Sequence, residues 1–261
     1  MSENVGGGRA GAARDAAPAA GPVTPRRLRV AGMTRLSSVD WPEHLVATVF
    51  LQGCPWDCFY CHNPALIDPR APGRIAWSEV VSFLERRRGM LDGVVFSGGE
   101  PTLHAALEDA VDEVRALGFG VGLHTSGAYP RRLERLLPRL DWVGLDIKAT
   151  DAGYDHVVGR GGGADRAWRA LELVLHEHAR RAGSRHPLDY EVRTTVHSDA
   201  IDEAGLCTLA DRLAGAGVGT WALQRFRTTG TRDGMPRVDG PSRSVDLGVV
   251  DPERFERVII R

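Results

Sequence analysis

Three of the four cysteines in this chain lie within one short segment, CPWDCFYC. Cys54, Cys58 and Cys61 are separated by three and then by two residues. Thiolates bind soft metals, and short intervening loops allow several sulfur atoms to converge on one site. The spacing therefore predicts a metal centre that is held by three cysteines.

The fourth ligand decides between two kinds of metal site. A structural zinc site needs four protein ligands. His62 would strain a tetrahedron because it adjoins Cys61, and His44 lies at the start of the preceding predicted strand. A [4Fe–4S] cluster fits three cysteines better, because one iron then stays open for a substrate or cofactor. Cys207 belongs to a helix-like segment, where a buried and unreactive thiol is predicted.

A second polar motif, FSGGEPTL at residues 96–103, follows a predicted strand. Gly98 and Gly99 lack side chains and would let the backbone approach a ligand closely. Glu100 offers a carboxylate that can accept a hydrogen bond from an ammonium group. The alternative is an ordinary glycine-rich turn, and the cysteine motif upstream favours the ligand site.

Polar residues also lie at the ends of the later predicted strands. Asp146 and Lys148 are two residues apart, so they share one face of a strand. Arg193 and His197 alternate in the same way in YEVRTTVHS, and Gln224 lies in a sixth strand-like segment. These groups either form structural ion pairs or line a binding site.

The elements that must position these residues alternate along the chain. Strand-like runs are rich in Val, Ile, Leu, Phe or Trp, and helix-like runs separate them. This order predicts α/β architecture with a parallel sheet, either a partial (β/α)6 barrel or an open doubly wound sheet, with the ligand site at the carboxyl ends of the strands. The strand-like segments are 44–53, 93–99, 120–127, 141–149, 190–198 and 220–226, and the helical ones about 78–88, 103–117, 130–138, 165–182 and 201–216.

Three regions are predicted from composition. Residues 1–27 are rich in Gly, Ala and Pro and have neither periodicity nor the apolar stretch of a secretory signal, which predicts a disordered tail. Residues 28–228 contain all the motifs and are predicted to form the core domain. Residues 229–261 are predicted to form a loop and a short helix, with Asp251 as the N-cap and Pro252 in its first position.

Composition limits the classes of partner. The chain has 261 residues, 43% of them hydrophobic and 26% charged, with a formal net charge of −1. These values are ordinary for a globular protein and predict no general attraction to nucleic acid or to an anionic membrane. No apolar run approaches the length of a membrane span. Four cysteines do not make a disulfide scaffold, which predicts a reducing compartment, the cytoplasm.

The cysteine spacing together with the SGGE strand end resembles the radical S-adenosylmethionine (radical SAM) superfamily. Tyr60 occupies the aromatic position that typically precedes the third cysteine. The resemblance implies that Cys54, Cys58 and Cys61 hold a [4Fe–4S] cluster and that S-adenosylmethionine (SAM) chelates its fourth iron. It also implies that an electron from the cluster cleaves SAM into methionine and a 5′-deoxyadenosyl radical.

The resemblance further implies a set of SAM-binding residues. Glu100 is expected near the amino group of SAM, and Arg193 near its carboxylate or ribose. Related activating enzymes often carry aspartate where this chain has His124, and in some of them that aspartate helps to hold a cation, so His124 argues against a conventional cation site here. The complete set comprises Tyr60, Ser97, Gly98, Gly99, Glu100, Thr125, Ser126, Asp146, Lys148, Arg193, His197 and Gln224.

Within the superfamily, residues of about 30–228 resemble the glycyl-radical-enzyme activating proteins, and most closely the group that activates anaerobic ribonucleoside-triphosphate reductase. The VDWP segment at 39–42 and the CHNP segment at 61–64 carry this narrower resemblance. It implies an oxidoreductase that forms a glycyl radical on a partner enzyme and receives electrons from a flavodoxin- or ferredoxin-type donor. The chain has no second cysteine cluster, so auxiliary iron–sulfur centres are not expected.

Two alternatives remain open at the level of sequence. One is a radical SAM enzyme that acts on a small molecule, as the short deazapurine-forming synthases do. The other is a zinc-stabilised binding protein without catalytic activity. Iron content and colour after anaerobic purification separate the second alternative from the first and from an activating enzyme.

Overall fold

The computed structural model describes Met1, residues 28–232 and residues 244–261. One sheet contains all the described strands, and they follow one another in chain order. The strands are β1 (Val30–Ser37), β2 (Val46–Leu51), β3 (Gly93–Gly98), β4 (Gly120–Thr125), β5 (Trp142–Asp146), β6 (Asp189–Val196), β7 (Thr220–Arg225) and β8 (Arg257–Ile260). The α-helices are α1 (Trp77–Glu85), α2 (Leu107–Ala116), α3 (Pro130–Leu136), α4 (Asp151–Val158), α5 (Gly163–Arg181) and α6 (Glu203–Gly215).

The sheet confirms the predicted α/β class and the partial barrel. Strands β2 to β8 pair in parallel, and β1 pairs with β2 in the antiparallel direction. The six predicted strands correspond to β2 through β7. The predicted disordered tail, residues 1–27, lies outside the described residues except for Met1. In the described part of the chain, no helix is long and apolar enough to span a membrane.

The C-terminal segment differs from the prediction of a loop and a short helix. Asp251 does act as an N-cap, and Pro252 does begin the helix, but this helix is a single 3-10 turn, Pro252–Arg254. The chain then extends into β8, which pairs with β7. Phe255 packs against Trp221 of β7, with ring centroids 5.3 Å apart, so the segment before the strand is anchored on the core. Residues 244–261 are therefore joined to the sheet.

Strand side chains alternate between the two faces of the sheet. Those on one face form the main core together with the helices. In β3, Val94 and Phe96 belong to the main core, whereas Val95 lies on the opposite face and belongs to a separate cluster. Helix α2 buries one face, which includes Val111 and Val114, and has acidic residues in its first turn and a basic residue in its last turn. That charge order suits the helix dipole.

The opposite, inner face of the sheet is filled at one end by two indoles. Trp41, in the loop between β1 and β2, stacks on Trp142 with ring centroids 6.0 Å apart. Glycines in neighbouring strands make room for them. A Cβ atom on Gly122 would lie 3.0 Å from Trp41, and one on Gly144 would lie 2.7 Å from Trp142. This Trp41–Trp142 pair closes the end of the inner face at which the strands begin, and the polar residues lie at the other end.

Candidate active site

A cavity of ≈ 410 Å³ lies where the strands end, and its walls bring most of the predicted site residues together. Two of the predicted residues, Glu100 and His197, do not line it. The predicted residues that do line it are Cys54, Cys58, Tyr60, Cys61, Ser97, Gly98, Gly99, Thr125, Ser126, Asp146, Lys148, Arg193 and Gln224.

Backbone hydrogen bonds hold the cysteine loop at both of its sides. The amide of Cys54 donates to the carbonyl of Ile67 at 3.0 Å, which closes the loop on itself. The amides of Asp57 and Phe59 donate to the carbonyls of Val158 and Val157 at 3.0 and 3.2 Å, which fixes the middle of the loop to the end of α4. The positions of the three thiols are therefore set by the main chain.

Gly98 and Gly99 serve the packing of two loops. A Cβ atom on Gly98 would lie 2.3 Å from the amide nitrogen of Leu51, and one on Gly99 would lie 2.3 Å from the carbonyl oxygen of Gly53. Gly98 also has a φ of 123°, a conformation that favours glycine. The glycines line the cavity as predicted, but the close approach that they permit is to the strand and loop leading to Cys54.

The three thiols have the chemistry that an iron–sulfur cluster requires. Cys58 is buried, and Cys54 and Cys61 are half-buried. Burial raises the pKa of Cys54 to about 12, with a further contribution from the charge of Glu100, and burial likewise raises the pKa of Cys58. Such thiols need a strongly bound cation to become thiolates, and metal binding releases their protons. The amide of Asn63 lies 3.4 Å from the Cys61 sulfur, where it stabilises negative charge.

The donor geometry does not favour a zinc site. In residues 28–232 and 244–261, no three His, Cys, Asp or Glu side chains converge as a single metal ion would require. A [4Fe–4S] cluster takes one thiolate per iron, so its ligands line a common cavity without meeting at one atom. Cys207 lies outside the cavity and is exposed, which corrects the prediction of a buried thiol. Its sulfur faces the carbonyl of Val249 at 3.7 Å, on the outer side of α6.

A carboxylate between two cations forms another wall of the cavity. Asp146 contacts Lys148 at 3.0 Å and Arg193 at 2.9 Å. Burial alone would raise the pKa of Asp146, but Arg193 and Lys148 hold it well below its usual range. Burial works to lower the pKa of Lys148, and the charge of Asp146 outweighs it and keeps that pKa well above its ordinary value. Asp146 and Lys148 are therefore both charged near neutral pH.

His124 has a defined protonation state and a defined tautomer. Burial, followed by the charge of Arg193, lowers the pKa of His124 to about 3, so the ring is neutral near pH 7. Its Nε2 atom lies 2.7 Å from the carbonyl oxygen of Asp40, which can only accept. Nε2 is therefore the donor, and Nδ1 accepts from the Ser97 hydroxyl at 3.2 Å. The Ser97 proton is thus directed to His124, which leaves an oxygen that can accept from a ligand in the cavity.

Glu100 lies behind the cavity wall, and this placement does not support the predicted contact with SAM. The residue is fully buried. One carboxylate oxygen accepts from the amide and hydroxyl of Thr102 and from the hydroxyl of Thr125. The other accepts from the amide of Ser126 at 2.8 Å and from its hydroxyl at 2.5 Å. Since protein donors occupy both oxygens, Glu100 positions Thr125 and Ser126, which do line the cavity.

His197 also differs from its predicted position. Strand β6 ends at Val196, and the carbonyl of His197 accepts from the amides of Ala200 and Ile201, so the chain has already begun to turn. Strand alternation no longer applies there. The ring packs edge-on against Phe59 and Phe226, with centroid distances of 5.2 and 4.6 Å. It thereby supports the cysteine loop from behind.

Several cavity residues were not in the predicted set. His124 and Thr195 lie on the inner faces of β4 and β6, so the alternation that identified Arg193 could have identified them. Asp40 comes from the VDWP segment, and its position required knowledge of how the β1–β2 loop folds. The unpredicted lining residues are Asp40, Phe50, Trp56, His62, Asn63, Ile67, His124 and Thr195.

Fold and site together define a class: an α/β protein in which three cysteines and a charged wall line one cavity at the ends of parallel strands. A sequence model of the radical SAM superfamily matches residues 48–186, more than half of the chain. The chain therefore belongs to the radical SAM superfamily, and it is an enzyme whose cofactors are a [4Fe–4S] cluster and SAM. Lys148 and Arg193 supply cations that complement a carboxylate, and the hydroxyl oxygen of Ser97 supplies an acceptor that complements an ammonium group.

The similar proteins of known sequence include several activating enzymes. One is a protein of Methanocaldococcus jannaschii assigned as a glycyl-radical enzyme activating enzyme, with 27% identity over 255 residues, 89% of this chain and 95% of that one. A pyruvate formate-lyase-activating enzyme of Clostridium pasteurianum is 32% identical over 56% of this chain, and one of Staphylococcus aureus is 35% identical over 44% of it. The chain spans 64% and 51% of the lengths of these last two proteins.

Solved structures support the fold. The protein SuiB of Streptococcus suis aligns with a TM-score of 0.54 and 13% identity, over 80% of this chain and 47% of that one. The structure of TYW1 with a lysine-pyruvate adduct aligns with a TM-score of 0.52 and 13% identity, over 72% of this chain and 66% of that one. Identity at this level shows a common architecture.

Proposed function

We propose that this enzyme is an activase that forms a glycyl radical on a partner enzyme, and that the partner is an anaerobic ribonucleoside-triphosphate reductase. The observation that carries the proposal is the cavity that Cys54, Cys58 and Cys61 line together with the Asp146–Lys148–Arg193 wall. The M. jannaschii protein assigned as a glycyl-radical enzyme activating enzyme aligns with 89% of this chain and supports the general function. The VDWP and CHNP segments support the choice of reductase.

Each wall of the cavity has a part in this proposal. Cys54, Cys58 and Cys61 would hold the cluster. When bound, the cluster and SAM supply a one-electron cleavage that yields a 5′-deoxyadenosyl radical, which abstracts a hydrogen atom from carbon. Arg193 and Lys148 would hold the carboxylate of SAM, and the acceptor oxygen of Ser97 would receive its ammonium group. The charged wall would thereby orient SAM relative to the cysteines.

The open side of the sheet suits a protein substrate. In the sheet formed by the described strands, β1 and β8 are the two edges. A chain segment that carries a glycine would enter there, because glycine has no side chain to obstruct the approach to its Cα hydrogen. The cysteine content suits a reducing compartment, so we propose that the reaction takes place in the cytoplasm.

The decisive test is the radical itself. The cluster-loaded protein is incubated without oxygen with dithionite, SAM and the candidate reductase, and the reductase is examined by electron paramagnetic resonance. A glycyl doublet that requires all three components supports the proposal. SAM cleavage without a doublet on the reductase, but with a small molecule as the hydrogen donor, would move the enzyme to the small-molecule class.

A further inference from the structure

A groove of ≈ 900 Å³ between α3 and α5 forms a second concave surface, separate from the active-site cavity. Its lining contains only two carboxylates, those of Glu134 and Asp165. Five arginines line the same groove: Arg131, Arg132, Arg135, Arg166 and Arg169. The groove therefore carries a local excess of positive charge on a chain whose formal net charge is −1.

Neighbouring carboxylates neutralise only part of the positive charge of this groove. Arg135 pairs with Glu108, and Arg169 pairs with Glu172. Among the described residues, no ion pair involves Arg131 or Arg166, and both are exposed. An exposed guanidinium group without a carboxylate partner is free to bind one on another protein, often through two parallel hydrogen bonds.

The floor of the groove adjoins the cysteine loop. Arg132 stacks on Tyr129 at 4.8 Å and donates to the carbonyl of Thr102 at 2.9 Å, so both side chains are held in place. Arg132 also donates to the carbonyl of Leu103. The side chain of Leu103 would lie 2.7 Å from a Cβ atom on Gly53, the residue before the first cysteine of the motif. A protein in the groove would therefore lie on the side of the molecule from which the chain enters the cysteine loop.

The reaction needs an electron from outside the chain. Beyond the three cysteines of the motif, the sequence contains only Cys207 and so has no second cluster site. Electron transfer weakens steeply with distance, so the donor must dock beside the cysteine loop. Steering by opposite charge would bring an acidic carrier to the groove and fix its orientation.

We infer that the groove between α3 and α5 is the docking surface for an acidic, one-electron carrier protein. This inference rests on the proposed radical SAM activity. The bound carrier would give one electron to the cluster. The carrier is then oxidised by one electron and the cluster reduced by one electron, and no proton or group is transferred. Arg131 and Arg166 provide the unpaired charges that recognise carboxylates of the carrier.

The test uses two double variants, and each of them reverses two positive charges at one place on the surface. The variant R131E/R166E changes the groove, and it should fold because glutamate near the first turn of a helix suits the helix dipole. The matched control is R86E/R88E, which makes the same change in net charge in the exposed segment after α1, at the opposite ends of the strands. Binding of oxidised flavodoxin and of oxidised [4Fe–4S] ferredoxin to the cluster-loaded proteins is measured by calorimetry.

We expect R131E/R166E to bind at least one of these carriers about tenfold or more weakly at about 50 mM NaCl, and the difference to shrink at about 0.5 M. R86E/R88E should bind as the unaltered protein does. SAM cleavage driven by the reduced carrier should fall only in R131E/R166E, whereas cleavage driven by dithionite should stay the same in all three proteins. This pattern supports docking in the groove.

Three results would overturn the inference. They are unchanged carrier binding by R131E/R166E, an equal loss in R86E/R88E, or no binding of either carrier by the unaltered protein. A loss confined to radical formation on the reductase, with carrier binding intact, would assign the groove to the reductase and also reject the inference. Failure of dithionite to support SAM cleavage would instead reject the proposed function, and the binding data would still decide the question of docking.

Discussion

At the scale of single residues, the four cysteines divide into two kinds. Cys58 is buried in the cavity wall, and Cys207 is exposed on α6. We predict that Cys58→Ala abolishes cluster binding and SAM cleavage, because one iron loses its thiolate. Cys207→Ala should leave both intact. Iron content and visible absorbance after anaerobic reconstitution measure the difference, and loss of iron from the Cys207 variant would show that the ligands are wrongly assigned.

Glu100 gives a second prediction at this scale. We expect Glu100→Ala to keep its iron, to weaken SAM binding and also to lower the free energy of unfolding by about 3 kcal/mol, because donors of Thr102, Thr125 and Ser126 lose a charged acceptor. Equilibrium dialysis measures SAM affinity, and urea unfolding measures stability. Weaker SAM binding without any loss of stability would instead indicate direct contact between Glu100 and SAM.

Strand alternation predicted an inward position for Asp146 and, separately, one face for Arg193. Both line the cavity, but their register as partners on neighbouring strands could not be predicted from spacing. Glu100 and His197 lie beyond the ends of β3 and β6. There the backbone turns, and the direction of a side chain depends on contacts with distant parts of the chain, which spacing does not encode.

At the scale of elements, the contact between the SGGE turn and the cysteine loop is the most constrained. We predict that Gly99→Ala lowers iron content and destabilises the fold by about 3 kcal/mol, because the added methyl group meets the Gly53 carbonyl at 2.3 Å. Gly32→Ala is the control, since a Cβ atom there has no neighbour within 4 Å. Thermal unfolding and iron analysis compare the two variants. Equal unfolding temperatures and iron contents in the two variants would mean that the SGGE turn can move away from the cysteine loop with little loss of free energy.

The elements that sequence patterns missed are short or exposed. β1 has a run of exposed residues at its edge position, so it lacks the continuous apolar pattern of a buried strand. β8 has four residues and follows a capping signal that predicts a helix. α4 is short and contains Gly153. In each case tertiary packing decides the conformation, and local propensity is too weak to predict it.

At the scale of the whole molecule, the Trp41–Trp142 pair joins the β1–β2 loop to the inner face of the sheet. We predict that Trp41→Ala lowers the free energy of unfolding by about 4 kcal/mol, because it leaves a large void that flanking glycines cannot fill. Val39→Ala is the control, since Val39 is exposed in the same loop and should change stability little. Urea unfolding compares them, and similar midpoints would contradict a supporting role for the indole.

The parallel sheet and its order of strands could be predicted, whereas the indole pair could not. Strands and helices have local periodicities, and these set the α/β class. The indole pair depends on Gly93, Gly120, Gly122 and Gly144, which lie in three different strands and meet Trp41 or Trp142 only when the strands are in register. That coincidence is a property of the folded molecule.

The fit between the two indoles and these glycines also restricts the order in which the positions can change during evolution. A side chain gained at Gly122 or Gly144 while both indoles are present would collide with a rigid ring at 3.0 or 2.7 Å. Loss of an indole first would leave a void, which costs stability but distorts no backbone. Lineages that replace Trp41 should therefore do so before they acquire a larger residue at Gly122, and the two kinds of change should occur together in their descendants.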